Sequence, residues 1–310
     1  MPEVMAVQAW TSKMMKLAPG VKMTPDAPLS ACTTLRLGGP ADLLAEPANA
    51  DELAKLFRTA AELDVPVTVI GRGSNLLVRD GGIRGLTIRI AQGMRKLSVD
   101  GCELTAEAGA SLAEAAALAQ RNGLAGLAFA SGIPGAVGGG TVMNAGAYGG
   151  ELKDVIARVE GIRPDGSAFS YSGNEMAFGY RTSRLQSEKG VVTRVTFALT
   201  PCDPAAIAAE MNELNERRRA KQPLDVPSAG STFKRPEGHF AGALIEQCGL
   251  KGFAIGGARV SEKHAGFLVS TGGTAADFEA LMAYVRCVVW AKTGVRLEPE
   301  VRVIGEEAQR

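Results

Sequence analysis

The chain carries only two histidines, His239 and His264, among 310 residues, and that scarcity excludes whole classes of chemistry. A His-rich metal centre lacks ligands, and no metal site is expected. A Ser-His-Asp triad would have to use one of those two, so acid–base work falls to Ser, Tyr, Lys, Arg, Asp or Glu. Cysteine is sparse as well. Cys32, Cys102, Cys202, Cys248 and Cys287 are odd in number, widely spaced and free of any CxxC. They form neither a disulfide framework nor a zinc site and read as free thiols in a reducing compartment. Charge of one sign is also missing. Thirty-four basic and 33 acidic residues leave a formal +1, which gives neither nucleic acid nor a membrane surface an electrostatic reason to bind. No apolar run is long enough to span a bilayer, and the N-terminus lacks the charged-then-apolar pattern of a secretory leader. The expected location is the cytoplasm.

What is present is enough apolar material, 46% of the residues, for two or three domains. Residues 1–30 carry no motif beyond a short helix near Ala6–Leu17. Asn49 with Glu52 resembles a capping box, and Leu53, Leu56, Phe57, Ala60 and Leu63 follow on one helical face. Val67–Ile70 reads as a buried strand, and Leu86, Ile88 and Ile90 alternate with Thr87 and Arg89 as a half-buried one. Ser111 with Glu114 opens a second helix that Gly123 stops. Residues 130–150 read as a long loop-rich stretch of small residues. Strands are expected near Val155–Ile162 and Val191–Thr200. A helix starts at Pro204 behind Asp203 and ends in Arg217, Arg218, Arg219 and Lys221. After a linker at Gln222–Pro227, a third unit follows. It contains a helix near Ala241–Cys248, strands near Phe253–Val260 and Gly266–Ser270, and a long helix over Ala276–Lys292 that Gly294 stops. Val295–Ile304 alternates like a strand, with Pro299 favouring its edge.

Two segments stand out among 38 glycines. One is Ile70-Gly71-Arg72-Gly73-Ser74-Asn75-Leu76-Leu77. The other runs Ser131-Gly132-Ile133-Pro134-Gly135 through Gly138-Gly139-Gly140 to Asn144-Ala145-Gly146-Ala147-Tyr148-Gly149. Glycine lets backbone approach a pyrophosphate without an intervening Cβ, and successive N–H groups can form an anion nest. Ser74, Ser131 and Asn75 could add donors. Tight loops without a ligand would account for either segment alone; two such loops point to a dinucleotide. Neither fits the nicotinamide-type GxGxxG fingerprint, and no GxxxxGK[ST] occurs.

In order along the chain, Thr34–Gly39, Gly71–Leu77, Ser131–Gly135, Asn144–Gly149, Gly179-Tyr180-Arg181, Gly230–Lys234 and Leu297–Arg302 resemble the motifs of the UDP-N-acetylenolpyruvoylglucosamine reductase family. The likeness runs from about Thr33 to Gly305. It implies an α+β fold: a two-domain FAD-binding module of the vanillyl-alcohol-oxidase (PCMH) type and a C-terminal α+β substrate domain. The borders then fall at 1–92 for the N-terminal segment and first FAD subdomain, 93–215 for the second, and 216–294 for the substrate domain. Strand 295–310 returns to the first. The shortness of the stretch after Arg181 matches the type without a tyrosine-bearing loop insertion.

The resemblance further implies non-covalent FAD, with NADPH as co-substrate and UDP-N-acetylglucosamine enolpyruvate as substrate. The product is UDP-N-acetylmuramate, placing the chain in peptidoglycan precursor synthesis and hence in cell-wall biogenesis, shape and division. No obligate protein partner is expected. Cofactor contacts are implied at Gly71, Arg72, Gly73, Ser74, Asn75, Leu76, Ser131, Gly132, Ile133, Pro134, Gly135, Gly138, Asn144, Ala145, Gly146 and Ala147. Arg181 is implied to hold the substrate carboxylate, Glu300 to stabilise the charge that builds there, and Ser231 to donate the proton. Glu298 is the wrong carboxylate, because the matching acid follows Pro299. Tyr180, Lys221 and Lys234 are implied substrate contacts, while Arg235 stands where some relatives carry asparagine. The alternatives are another flavin oxidoreductase of the superfamily, or a flavin or sugar-nucleotide binding protein without turnover. Many such oxidases hold FAD through a histidine, and both histidines here lie outside the candidate loops.

Overall fold

The structure is a computed structural model describing residues 2–308, with side chains from residue 7 onward. It divides into two compact units. One comprises residues 1–25, 42–72 and 85–218; the other comprises residues 26–41, 73–84 and 219–310.

The first unit holds two sheets on one core. A four-stranded sheet has the order Lys22–Pro28, Pro40–Glu46, Ile83–Arg89, Val67–Ile70. Its last two strands are parallel, with Val67 opposite Leu86 and Ile70 opposite Arg89. A five-stranded sheet has the order Ala168–Ser172, Ile156–Ile162, Val191–Ala198, Glu103–Glu107, Leu97–Asp100. Helix Ala50–Glu62 begins where expected: the Asn49 side chain accepts the Glu52 N–H at 2.9 Å, and the Glu52 carboxylate accepts the Ala48 N–H at 2.7 Å. Its apolar face, Leu53, Leu56, Phe57 and Ala60, joins a continuous core with Leu86 and Ile88 of one sheet and Val159, Val195 and Phe197 of the other. That shared core is why the two sheets form a single compact unit.

The second unit is smaller. A four-stranded antiparallel sheet, Ser228–Ser231, Phe267–Ser270, Ala258–Val260, Ala254–Ile255, lies in it with the long helix Ala275–Thr293. Phe278, Leu281, Val285 and Val289 of that helix are fully buried with Val260 and Leu268. Thr274 and Asp277 form a capping box, the Asp80 carboxylate accepts the Ala275 and Ala276 N–H groups at 2.8 and 3.0 Å, and Gly294 closes the far end at φ 71. The final strand, Arg302–Ile304, pairs in parallel with Leu76–Val78.

Three expectations need correction. The strand at Leu86–Ile90 is not half-buried. It lies between two neighbours in its sheet, and even Thr87 is fully buried. The stretch 130–150 is not all loop, since Val137–Val142 is a short helix and Gly146–Ala147 pairs with Gly150–Glu151. The tail is a strand only at Arg302–Ile304, because Pro299 has no N–H for a ladder and meets Phe233 as an isolated bridge. The short strands at Leu97–Asp100, Glu103–Glu107 and Ala168–Ser172 were not anticipated; each is at most five residues long with a polar exposed side. Among the described residues, no helix is long and apolar enough to cross a membrane.

The Ser111–Glu114 box offers a test of local design. Ser111 donates its N–H and hydroxyl to the Glu114 carboxylate at 2.8 and 2.7 Å and accepts the Glu114 N–H at 3.1 Å. Those bonds hold the Glu114 carboxyl below its ordinary range. A lowered folded-state pKa stabilises above the unfolded value and is lost as pH falls through the folded one. Ser111→Ala should therefore cost about 1 kcal/mol near neutrality. Part of that penalty should vanish in acid, read from urea midpoints at the two pH values.

Candidate active site

In the first unit, the Ser131–Gly135 turn leads into helix Val137–Val142 and is pinned to the chain around Ser111. The Leu112 N–H bonds the Gly135 carbonyl at 3.1 Å, and the Val137 and Gly138 N–H groups bond the carbonyls of Ala110 and Ala108 at 2.8 and 2.9 Å. Those two N–H groups are thus committed within the protein and unavailable to an anion nest. Close approach explains the glycines equally directly. A Cβ on Gly138 would lie 2.8 Å from the Ala108 Cβ, and one on Gly146 would lie 2.7 Å from the Gly150 carbonyl. At Gly71 and Gly139, by contrast, a Cβ would meet nothing within 4 Å, so there the backbone is open to a ligand. Ala147 to Gly150 is a tight hairpin whose turn residues Tyr148 and Gly149 both have positive φ, 54 and 93.

A residue not singled out in the sequence stands beside this turn. Helix Pro204–Lys221 presents Asn215 and Arg218, three apart and so on one face. Asn215 Nδ2 donates to Ser131 Oγ at 3.2 Å, and a Cβ on Gly132 would lie 3.0 Å from the Arg218 side chain. Arg218 Nε is buried and finds no hydrogen-bond partner among the described residues. Burial pushes its pKa down, though arginine remains a cation. A desolvated guanidinium with an orphaned donor beside a glycine turn suits an anionic or carbonyl-rich ligand, such as a flavin dinucleotide. The signal in the sequence was the helical spacing of Asn215 and Arg218 within a basic run.

Also in this unit, Gly179-Tyr180-Arg181-Thr182 is a tight turn closed by Gly179 and Thr182. Arg181 sits at φ 56, its guanidinium lies 4.9 Å from the Tyr180 ring centroid, and Nη2 donates to the Gly146 carbonyl at 3.2 Å. Tyr180 is half exposed. Asn144, fully buried at φ 43, donates to the Gly179 carbonyl and the Glu151 carboxylate and accepts the Lys153 N–H. Its amide is engaged by protein on every side.

The second unit assembles Thr34–Gly39, Gly73–Leu77, Gly230–Lys234 and Leu297–Arg302. The Thr34 hydroxyl donates to the Ser228 carbonyl at 2.6 Å, and the Thr34 N–H donates to that of Gly73 at 3.2 Å. Asn75 Nδ2 donates to the Glu300 carbonyl at 3.1 Å, and the Asn75 carbonyl accepts the Arg302 N–H at 3.0 Å. The strand bearing Ser231 bulges: Ser228 pairs with Val269 and Ser231 with Phe267, so three steps on one side match two on the other. Gly230, at φ 77, supplies the kink. Ser231 is consequently exposed, and the next residue accepts the Glu300 N–H at 2.8 Å. Ser231 and Glu300 thus lie on adjoining segments of one unit; Arg181 belongs to the other.

Glu298 is exposed and bridges Lys234 at 3.2 Å, so the two carboxylates flanking Pro299 have different surroundings. Lys221 is exposed at its helix end, as is Arg72 in its loop. Arg235 stacks on Phe240 at 4.0 Å. His239 and His264 both lie in the second unit, and His264 donates no role to the glycine loops: its Nδ1 accepts the Gly266 N–H at 3.1 Å. No His, Cys, Asp and Glu cluster that could hold a metal occurs among the described residues.

A glycine turn pinned to Ala108–Leu112, with a desolvated arginine alongside, suits an FAD-binding chain, and residues 41–172 match the family described as FAD binding domain. Residues 222–304 match the C-terminal domain of UDP-N-acetylenolpyruvoylglucosamine reductase. The chain belongs to the UDP-N-acetylenolpyruvoylglucosamine reductase family. It is 50% identical over 290 residues to the enzyme of that name from Levilactobacillus brevis, covering 93% of this chain and 95% of that one. It is 47% identical to the protein from Caldanaerobacter subterraneus that bears the same name as that relative, covering 92% of this chain and 95% of that one. The crystal structure of the reductase from Thermus caldophilus superposes with a TM-score of 0.78 at 36% identity, over 91% of this chain and 98% of that one. The α+β class with an FAD-binding module and a distinct C-terminal domain therefore stands.

The glycine geometry predicts contrasting substitutions. A Cβ on Gly73, at φ 66, would lie 2.1 Å from the Cys32 carbonyl oxygen. Gly73→Ala should lose roughly 1–3 kcal/mol of stability. Gly71→Ala, facing open space, should change it by no more than about 1 kcal/mol. Thermal melts of the flavin-free protein distinguish the two.

Proposed function

We propose that the chain reduces UDP-N-acetylglucosamine enolpyruvate to UDP-N-acetylmuramate with NADPH, through non-covalently held FAD, in cytoplasmic peptidoglycan precursor synthesis. The observation carrying this reading is the joining of the Ser231 and Glu300 segments through Thr232, in a chain half identical to a relative bearing that reductase name. Residues 1–92 and 93–215 are the two halves of the flavin module, and 216–294 the substrate portion. No obligate protein partner enters the scheme.

Bound FAD would supply the hydride relay from NADPH to the terminal carbon of the enolpyruvyl group. In the first unit, Gly71, Arg72, Ser131–Gly135, Gly138 and Asn144–Ala147 would contact it, with Arg218 as the buried cation; in the second, Gly73, Ser74, Asn75 and Leu76 would. Hydride addition moves negative charge onto the substrate carboxylate. Arg181 meets that charge with a planar, permanently cationic fork. Glu300, beside the Ser231 strand, stabilises the charge-shifted substrate. Ser231, exposed by its bulge, donates the proton that saturates the α-carbon. Tyr180, Lys221 and Lys234 bind the sugar-nucleotide diphosphate region, which for Lys234 means exchanging Glu298 for a phosphate.

Two experiments test this. In anaerobic half-reactions, NADPH should bleach the flavin, and the enolpyruvyl sugar nucleotide should restore its colour and yield the muramate product. Ser231→Ala should bleach normally yet form product on the order of 10²–10⁴-fold more slowly, the scale of general acid catalysis. Bleaching with no recovery in the wild type would remove the substrate assignment. Separately, Arg218→Met should retain the fold but bind FAD at least about tenfold more weakly, the scale of one charge-assisted bond. Flavin titration reads this directly.

A further inference from the structure

We infer that Gln186 and Asn144 are positioning residues that fix Arg181 from behind its own turn. This rests on the reading of Arg181 as the group that meets the substrate carboxylate.

Arg181 occupies a left-handed backbone conformation, φ 56, at the third position of its turn. A residue with a Cβ is rarely held there unless its surroundings over-determine it. The turn closes through Gly179 N–H to the Thr182 carbonyl at 3.1 Å and the reverse bond at 3.3 Å. Two side-chain amides then pin both sides. Asn144 Nδ2 donates to the Gly179 carbonyl at 3.0 Å, ahead of the turn's tip. Gln186 Nε2 donates to the Arg181 carbonyl at 3.0 Å and to the Val142 carbonyl at 3.2 Å. The Ser183 hydroxyl adds a bond to the same Val142 carbonyl at 2.8 Å. Every anchor lies at the end of helix Val137–Val142, and the Arg181 guanidinium reaches the Gly146 carbonyl just beyond. The same short segment therefore holds Arg181 at its backbone and at its head. That segment also continues the glycine turn assigned to the flavin, so the clamp sets the cation against the cofactor cradle within one unit.

The two residues differ usefully. Asn144 is fully buried and its side chain bonds two further groups, so its replacement disturbs packing. Gln186 is exposed, and its loss opens no core. Gln186→Ala and the isosteric Gln186→Glu, which lacks the amide donors, are thus the informative variants.

The experiment uses the flavin-loaded protein in rapid-mixing half-reactions. Both Gln186 variants should retain wild-type flavin content and bleach with NADPH at the wild-type rate. Re-oxidation by saturating enolpyruvyl sugar nucleotide should slow on the order of tenfold or more, since small misplacements of a catalytic group carry penalties up to about a hundredfold. Adding Gln186→Ala to Arg181→Ala should slow it no further than Arg181→Ala alone. Wild-type re-oxidation by both Gln186 variants, with Arg181→Ala slow, would overturn the positioning role, as would losses that multiply in the double variant. Wild-type re-oxidation by Arg181→Ala would withdraw the assignment of Arg181 itself and this inference with it.

Discussion

Thr232 is the residue on which the second unit's candidate chemistry depends. It is fully buried, and its polar groups are engaged on separate sides. Its N–H bonds the Gly266 carbonyl, its hydroxyl accepts the Leu268 N–H, and its carbonyl accepts the Glu300 N–H. Buried polar groups are held this firmly because leaving one unpaired costs the full desolvation penalty. Three segments distant in sequence are thereby locked in register. The residue before Thr232 is Ser231, and the residue bonded to its carbonyl is Glu300. The bulge at Gly230 turns that register outward, so a serine in a sheet strand becomes exposed.

The glycine-rich turns answer two requirements at once. Most of their glycines are demanded by the chain itself: Gly73 against Cys32, Gly138 against Ala108, Gly146 against Gly150. This intramolecular packing shapes the turn; only where a Cβ would stand in open space, as at Gly71 and Gly139, does the backbone face outward. The charge partner comes from elsewhere in the same unit. Arg218 is contributed by a helix some 80 residues downstream of Ser131 and Gly132, and its buried Nε marks the place where the protein's own hydrogen bonding stops short.

Much of the fold could be read from the chain. The caps at Asn49 and Ser111, the stop at Gly294 and the apolar faces of the helices starting at Ala50 and Ala275 are local signals, and local signals survive into the structure. The ordered motifs sufficed for the family. What escaped were elements whose signal is weak or non-local. The three short strands carry too few residues for period two to stand out. Thr87 and Arg89 look like solvent-facing positions in a strand that is in fact flanked on both sides. Arg218 looked like one cation among several closing a helix. The bonds of the Asn144 amide to Gly179, Glu151 and Lys153 join residues that nothing along the chain pairs.

The sequence alone determined the helix starts at Asn49 and Ser111, the family and the candidacy of Arg181, Ser231 and Glu300, because capping, periodicity and motif spacing act over a few residues along the chain. Which of those residues share a unit was decided only by tertiary structure. Thr232 joins Ser231 to Glu300 across almost 70 positions, and the Val142–Asn144 segment grips the Arg181 turn from about 40 positions away. The Thr232–Glu300 bond joins two backbone groups that any residue carries, and the Asn144 and Gln186 amides reach backbone carbonyls, so the partners leave no trace along the chain until it is folded.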